Sequence, residues 1–256
     1  MARLFIGMPA FNAGPIIEAA IKSTYRYAEK IFVVDGSRFG PSTDDTAKIA
    51  LGCGKKVVLS QGTFKIYPGS PDSDRMPVGA WDEAAQRAVY KGQVEPGEDC
   101  WTLLQDADEV WDDENMEKLM AYISGALPTT WAFLMRAVHF WNGPWFTRKG
   151  GGFDKFRRFG VYRNTEIVPG QEEVELPDVF FWHYGHALHP ERKLFKAIEY
   201  LERGDYKDVR FEPHEWQRFL REYWNVFLSK KEGVEPFTGR HPVEVEKILD
   251  KIWTWI

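Results

Sequence analysis

Asp106-Ala-Asp-Glu109 follows directly on the apolar run Trp101–Gln105. Alternation along a strand turns Asp106 and Asp108 to the same side. Carboxylates crowded in this way repel one another, and a bound divalent cation removes that repulsion. Mg2+ or Mn2+ takes oxygen ligands and is typically shared between one or two carboxylates and the phosphates of a substrate. Asp112, Asp113 and Glu114 read differently, as the cap and acidic first turn of a helix carrying Met116, Leu119, Met120 and Ile123. Asp106 and Asp108 precede Val110 and Trp111, so the capping explanation does not extend to them.

Further candidates stand at the ends of other apolar runs. Asp35 closes Ile31–Val34 and precedes Gly36, as a site carboxylate or as a plain turn former. His183 closes Val179–Trp182, where it suits a third metal ligand beside two aspartates, or a buried structural role. His186 and His189 follow at a spacing of three, so any one of the histidines can turn inward. Arg148, Lys149, Lys155, Arg157, Arg158 and Arg163 form a basic run against a single Asp154. Arg157 or Arg158 suits bidentate contact with a diphosphate; otherwise the run is a solvated face or a site for an acceptor phosphate.

These residues need a frame. Short apolar runs at Leu4–Met8, Ile31–Val34, Lys56–Ser60 and Trp101–Gln105 alternate with segments of helical period. The first such segment carries Ile17, Ala20, Ile21, Thr24, Tyr25 and Ala28, and a later one carries Trp81, Ala84, Ala85, Ala88 and Val89. This alternation predicts an α/β fold with a mostly parallel central sheet flanked by helices. In open sheets of that kind ligands bind at the carboxyl ends of the strands. Trp131–Trp141 and Phe156–Asn164 read as longer strands and Val179–Tyr184 as a short buried one. From Pro190 onward the period is helical, which predicts a C-terminal helical extension.

The 256 residues allow one or two domains, and 44% hydrophobic and 28% charged residues are ordinary for a globular chain. Aromatic residues reach 15%, predicting dense packing or a groove with aromatic walls. A net charge of −5 argues against nucleic acid as a partner. Cys53 and Cys100 read as buried free thiols. There is no apolar run of transmembrane length and no signal-peptide pattern, so the expected location is cytoplasmic.

Three segments together resemble the family 2 glycosyltransferases: Ile6-Gly-Met-Pro-Ala-Phe-Asn12, then Phe32-Val-Val-Asp-Gly-Ser37 with Thr43-Asp-Asp-Thr46, then Leu104-Gln-Asp-Ala-Asp-Glu109. The resemblance covers 1–115 and implies a nucleotide-diphospho-sugar transferase fold of GT-A type. On that resemblance, 1–186 forms the catalytic domain, with a nucleotide-sugar half (1–115) and an acceptor half (116–186), and 187–256 forms the helical extension. It implies that Pro9, Ala10 and Phe11 line a base pocket and that Asp35 accepts a hydrogen bond from the base. Asp106 would face the ribose or the metal, and Asp108 would be the main ligand of Mn2+ or Mg2+. Arg75 would reach the diphosphate or the sugar, although Met76-Pro77 follows it where the family often has Asn.

The second half is similar to a subgroup of the same family through Lys155-Phe-Arg-Arg-Phe-Gly-Val-Tyr-Arg163, His183-Tyr-Gly185 and Gly239-Arg-His-Pro242. Gln171-Glu172 falls where that subgroup often has His-Glu, so Glu172, or Glu173 beside it, would be the base of an inverting transfer. The implied reaction moves a sugar from a nucleotide-sugar, a UDP-sugar first, to an acceptor hydroxyl on a glycan, lipid-linked molecule or protein. Two other readings stay open: a sugar-phosphate nucleotidyltransferase, and a non-catalytic carbohydrate-binding protein of the same fold. The loop after the first strand, Pro9-Ala-Phe-Asn-Ala-Gly14, has no basic residue to grip a triphosphate and no G-x-G-x-x-G for a dinucleotide.

Overall fold

Where the chain reads as continuously apolar, it forms strands covered on both faces. A computed structural model describes residues 2–69, 81–94, 96–97, 99–140, 144–148, 157–165, 169–185, 187 and 234–250. β1 (Arg3–Ala10) is buried at every position after Arg3. It leads through a turn-rich segment into α1 (Ile17–Tyr25), then β2 (Ala28–Ser37), α2 (Thr46–Gly52) and β3 (Val57–Thr63). α3 (Glu83–Lys91), β4 (Cys100–Leu104), β5 (Glu109–Val110) and α4 (Asp113–Ser124) follow. The second half contributes β6 (Thr130–His139), β7 (Phe146–Arg148), β8 (Arg157–Arg163), β9 (Glu172–His183), β10 (Val234–Pro236) and one helical turn, α5 (Val243–Glu246).

Among the described residues, eight strands form one sheet in the order β3-β2-β1-β4-β8-β6-β9-β5. β3, β2, β1 and β4 are mutually parallel. β8 is antiparallel to both β4 and β6, so β6 runs with β4, and β9 is parallel to β6. Among the described strands of this sheet, only β8 and the short β5 oppose the others. This is the α/β fold expected from the sequence, with a mostly parallel sheet. Its consequence is that β1, β2, β4, β6 and β9 all end on one edge.

Several boundaries differ from the sequence reading. The helical period of α1 does not reach Ala28, which pairs with Leu4 as the first residue of β2. Lys56 Nζ donates to the carbonyls of Tyr25 (3.1 Å) and Ala28 (2.6 Å), so the helix is closed off before Ala28 can extend it. β9 is twelve residues long and begins at Glu172 rather than Val179, because β6 pairs with it from Thr130 onward. β7 and β10 form a separate antiparallel pair that no local pattern announced. Within the expected C-terminal extension, the helical pattern of 190–228 lies outside the described residues, whereas Val245 of α5 is buried in the main core. Among the described residues no helix is long and apolar enough to cross a membrane.

The expected acidic helix start is present: Asp112 caps α4 by accepting from the Asn115 N–H at 2.8 Å. Cys53 and Cys100 are free thiols, as expected, but only Cys100 is buried; Cys53 is half-buried. Two buried glutamines tie the helices to the sheet. Gln105 Nε2 donates to the carbonyls of Ala20 (3.0 Å) and Glu109 (2.8 Å), and its Oε1 accepts from Thr24 Oγ1 at 3.2 Å. Gln86 of α3 directs Nε2 at the carbonyls of Val34 (2.8 Å), Gly36 (3.1 Å) and Ala10 (3.3 Å), where β1 and β2 separate. Pro9, opposite Val34 in the register, has no N–H to give there. Gln86→Leu therefore strands buried carbonyls, and urea unfolding should show a loss of about 2 kcal/mol; an unchanged midpoint would contradict this role.

Candidate functional site

The strand β4 stops at Leu104, and 106–109 is a turn closed by the Glu109 N–H donating to the Asp106 carbonyl at 3.0 Å. Strand alternation therefore does not govern the two aspartates, and they part. The Asp106 carboxylate accepts from Arg87 Nη2 at 3.0 Å, and the same nitrogen lies 2.5 Å from Glu83 Oε1. Asp108 turns instead toward His183, with Oδ1 3.7 Å from Nε2. Its backbone is held by the Tyr184 N–H, which donates to the Asp108 carbonyl at 2.8 Å. Among the described residues, no group of three His, Cys, Asp or Glu side chains forms a metal cluster. Asp106, Asp108 and His183 thus do not converge as one ligand triad: Arg87, which sequence reasoning missed, draws Asp106 away.

His183 stands where expected, at the end of β9, and brings a partner that was not expected. The β6–β9 register sets His139 directly opposite His183. Their Nδ1 atoms are 2.9 Å apart, and the ring centroids are 4.8 Å apart at 72°. His139 is 6% exposed. Burial pushes its imidazole down to about 3, the neighbouring His183 adds to the effect and Asp108 opposes it. The sequence signal was that His139 closes the apolar part of β6 as His183 closes β9; only the parallel pairing makes the two a pair.

Behind the edge, Asp35 is fully buried rather than offered at a pocket mouth. Its carboxylate accepts from the Ser42 N–H (3.2 Å), the Ser42 hydroxyl and Gln61 Nε2 (2.8 Å). Ser42 Oγ in turn accepts from the Asn12 N–H at 2.7 Å, and Asn12 Oδ1 accepts from the Thr43 N–H at 2.9 Å. Thr46 Oγ1 accepts from the Ala13 N–H at 2.8 Å, and Asp44 Oδ2 from the Gly14 N–H at 3.1 Å. The Thr43-Asp-Asp-Thr46 segment is thereby stitched to the loop after β1, with Asn12 in the left-handed region at φ 47°. Pro9 and Ala10 are buried at the end of β1, and the Phe11 ring meets Trp81 edge-on with centroids 6.4 Å apart.

Other expected site residues are not brought here. Glu172 and Glu173 are exposed at the first residues of β9, paired with Thr130 and Ala132. They occupy the opposite edge of the sheet, eleven and ten residue steps from His183, roughly 35 Å along a regular strand. β9 is one continuous strand, so Glu172 and Glu173 are not brought to the edge that holds His183. Arg157 and Arg158 begin β8, opposite Arg136 and Met135, near the edge that holds His139; their side chains lie outside the described residues. Arg75, His186 and His189 also lie outside the described residues. The late loop does reach the site's flank, because His241 Nδ1 and the Tyr184 hydroxyl share a hydrogen bond of 2.8 Å.

No protein-family model and no curated protein matches this chain. Among solved structures, S. aureus TarS 1-349 is similar with a TM-score of 0.43 at 16% identity, over 89% of this chain and 72% of that one. Glucosyl-3-phosphoglycerate synthase from Mycobacterium tuberculosis, in complex with Mn2+, UDP and glucosyl-3-phosphoglycerate, gives 0.34 at 18% identity, over 54% of this chain and 44% of the synthase. The same synthase with Mn2+, UDP-glucose and phosphoglyceric acid gives 0.34 at 19% identity and the same coverage. This chain therefore spans less than half of the synthase's length. Overlap at that level transfers neither residue roles nor activity. This chain's own fold and edge define a class, an α/β protein with a carboxylate–histidine pair at the carboxyl ends of parallel strands.

His139 also makes stability depend on pH. Its value in the fold, about 3, lies below the ordinary 6.5, so the unfolded chain takes up the proton first as pH falls. Its contribution is complete above about pH 6.5 and fades between there and about pH 3, by on the order of 5 kcal/mol. Urea unfolding of the metal-free protein across this range should show a shallower slope for His139→Phe than for the wild type. Equal slopes would contradict this.

Proposed function

We propose that this chain is a GT-A-type glycosyltransferase that takes a nucleotide-diphosphate sugar, with UDP as the first candidate carrier, and uses Mn2+ or Mg2+. The observation that carries the reading is the pair formed by Asp108 Oδ1 and His183 Nε2, 3.7 Å apart at the edge where β1, β2 and β4 also end. Gly185 supports it further. A methyl group there would lie 2.6 Å from Asp108 Oδ2 and 2.8 Å from His183 Nε2, so only glycine leaves the space between them open. One carboxylate and one imidazole suit Mn2+ or Mg2+ when a substrate diphosphate and water complete the shell.

Asp108 and His183 would hold the cation, which when bound would neutralise charge developing on a departing diphosphate. The remaining roles belong to the chain itself. The Asp35–Ser42–Asn12 network holds the loop after β1 in one shape, and Phe11 with Trp81 forms an aromatic wall beside it. A planar base stacks well on such a wall. Arg87 fixes the Asp106 carboxylate at the rim, where it can accept from a sugar or ribose hydroxyl. The acceptor hydroxyl needs a base, and Glu172 and Glu173 stand at the far end of β9 from His183.

Calorimetry with UDP, GDP and ADP, with and without Mn2+, tests it directly. UDP binding should strengthen with Mn2+, and Asp108→Ala should weaken the Mn2+-dependent component at least tenfold, about 1.4 kcal/mol. Equal binding by Asp108→Ala, or indifference to Mn2+ for every nucleotide, would remove the basis of the proposal.

A further inference from the structure

We infer that His139 is a positioning residue that sets the tautomer of His183, so that His183 presents an unprotonated Nε2 to a divalent cation. This rests on the reading of Asp108 and His183 as cation ligands.

Two imidazole nitrogens 2.9 Å apart can share one proton and not two, so one Nδ1 donates and the other accepts. A neutral imidazole carries a single N–H. If His183 donates from Nδ1, its Nε2 keeps a lone pair, as ligation requires. If His183 accepts at Nδ1, its proton sits on Nε2, facing Asp108 Oδ1 at 3.7 Å, and that nitrogen cannot ligate. The nearby carboxylate favours the second arrangement by attracting the N–H. An acceptor held opposite Nδ1 favours the first, and on this assignment His139 is that acceptor, its own proton lying on Nε2. Metal-bound histidines ordinarily receive this orientation from a carboxylate, a carbonyl or water; here a second histidine stands in that place.

The acceptor is rigidly built. β6 and β9 are in register at His139 and His183, and the next N–H, that of Phe140, donates to the His183 carbonyl at 3.0 Å. The Phe140 ring stacks on Tyr184, with centroids 4.5 Å apart and planes at 12°, on the residue that follows His183. His139 is therefore fixed to the same backbone that carries His183, and at 6% exposure it leaves water little access to take its place.

The test uses three substitutions and Mn2+ alone, followed by electron paramagnetic resonance. His139→Asn places an amide oxygen near the position of Nδ1, His139→Gln places its amide near that of Nε2, and His139→Phe removes the acceptor. Mn2+ affinity should stay within about threefold of wild type in His139→Asn and fall about tenfold or more in His139→Gln and His139→Phe. Nitrogen-15 spectra of the Mg2+-loaded protein should show His183 protonated at Nδ1 in the wild type and in His139→Asn, and that signature should weaken in His139→Gln. Thermal melting of each variant establishes that it is folded, and the Asn/Gln comparison holds should His139→Phe fail to fold. Equal loss in His139→Asn and His139→Gln would reduce His139 to packing and overturn the inference. So would unchanged affinity in all three variants while Asp108→Ala and His183→Ala lose Mn2+. If Asp108→Ala and His183→Ala bind Mn2+ like wild type, the cation reading falls first and this inference with it.

Discussion

β6 and β9 run side by side in the same direction, and their register ends with His139 opposite His183. Most of what distinguishes this sheet edge depends on that pairing. β9 is also antiparallel to β5, where Glu109 faces His183, so the residue before Glu109 is delivered to the imidazole. Three side chains from separate parts of the chain, Asp108, His139 and His183, meet because one strand has neighbours on both sides. The same continuity separates Glu172 from them: a strand that begins at one edge must finish at the other.

Parallel strands that stop together create a second requirement. Their last carbonyls and the loops above them need donors and acceptors, since an unpaired buried polar group is costly. Gln86 supplies donors from α3, and Asp35, Ser42, Asn12, Asp44 and Thr46 satisfy one another across two loops. Asp35 shows how burial redefines a residue. At the end of a strand it reads as a ligand for something outside, yet its oxygens face Ser42 and Gln61. Its effect on any ligand passes through the loop it holds, which is how a rigid second layer positions a site.

Arg87 and the aromatic cluster make a related point about neighbours. Arg87 lies on α3 and Asp106 beyond β4, and their ion pair divides two carboxylates that adjacency in sequence would have kept together. Phe140, Tyr184, Phe237 and His241 pack together at the flank of the histidine pair, and β10 joins β7 beside them. The aromatic content of the composition becomes packing here, at the place where the late part of the chain returns to the sheet.

What the sequence determined by itself was local. Apolar runs marked β1, β2, β4 and β6 to within a few residues, Asp112 announced the start of α4, and Asp35, Asp108 and His183 stood out because each follows an apolar run. Such signals need only the period of a helix or strand and the chemistry of its ends. Tertiary structure alone decided that the 106–109 segment is a turn, that Ala28 belongs to a strand, that β9 reaches back to Glu172, and that His139 answers His183. Those outcomes depend on which strands lie beside each other and in what register. Register is settled by contacts between residues far apart in the chain, which no local period records.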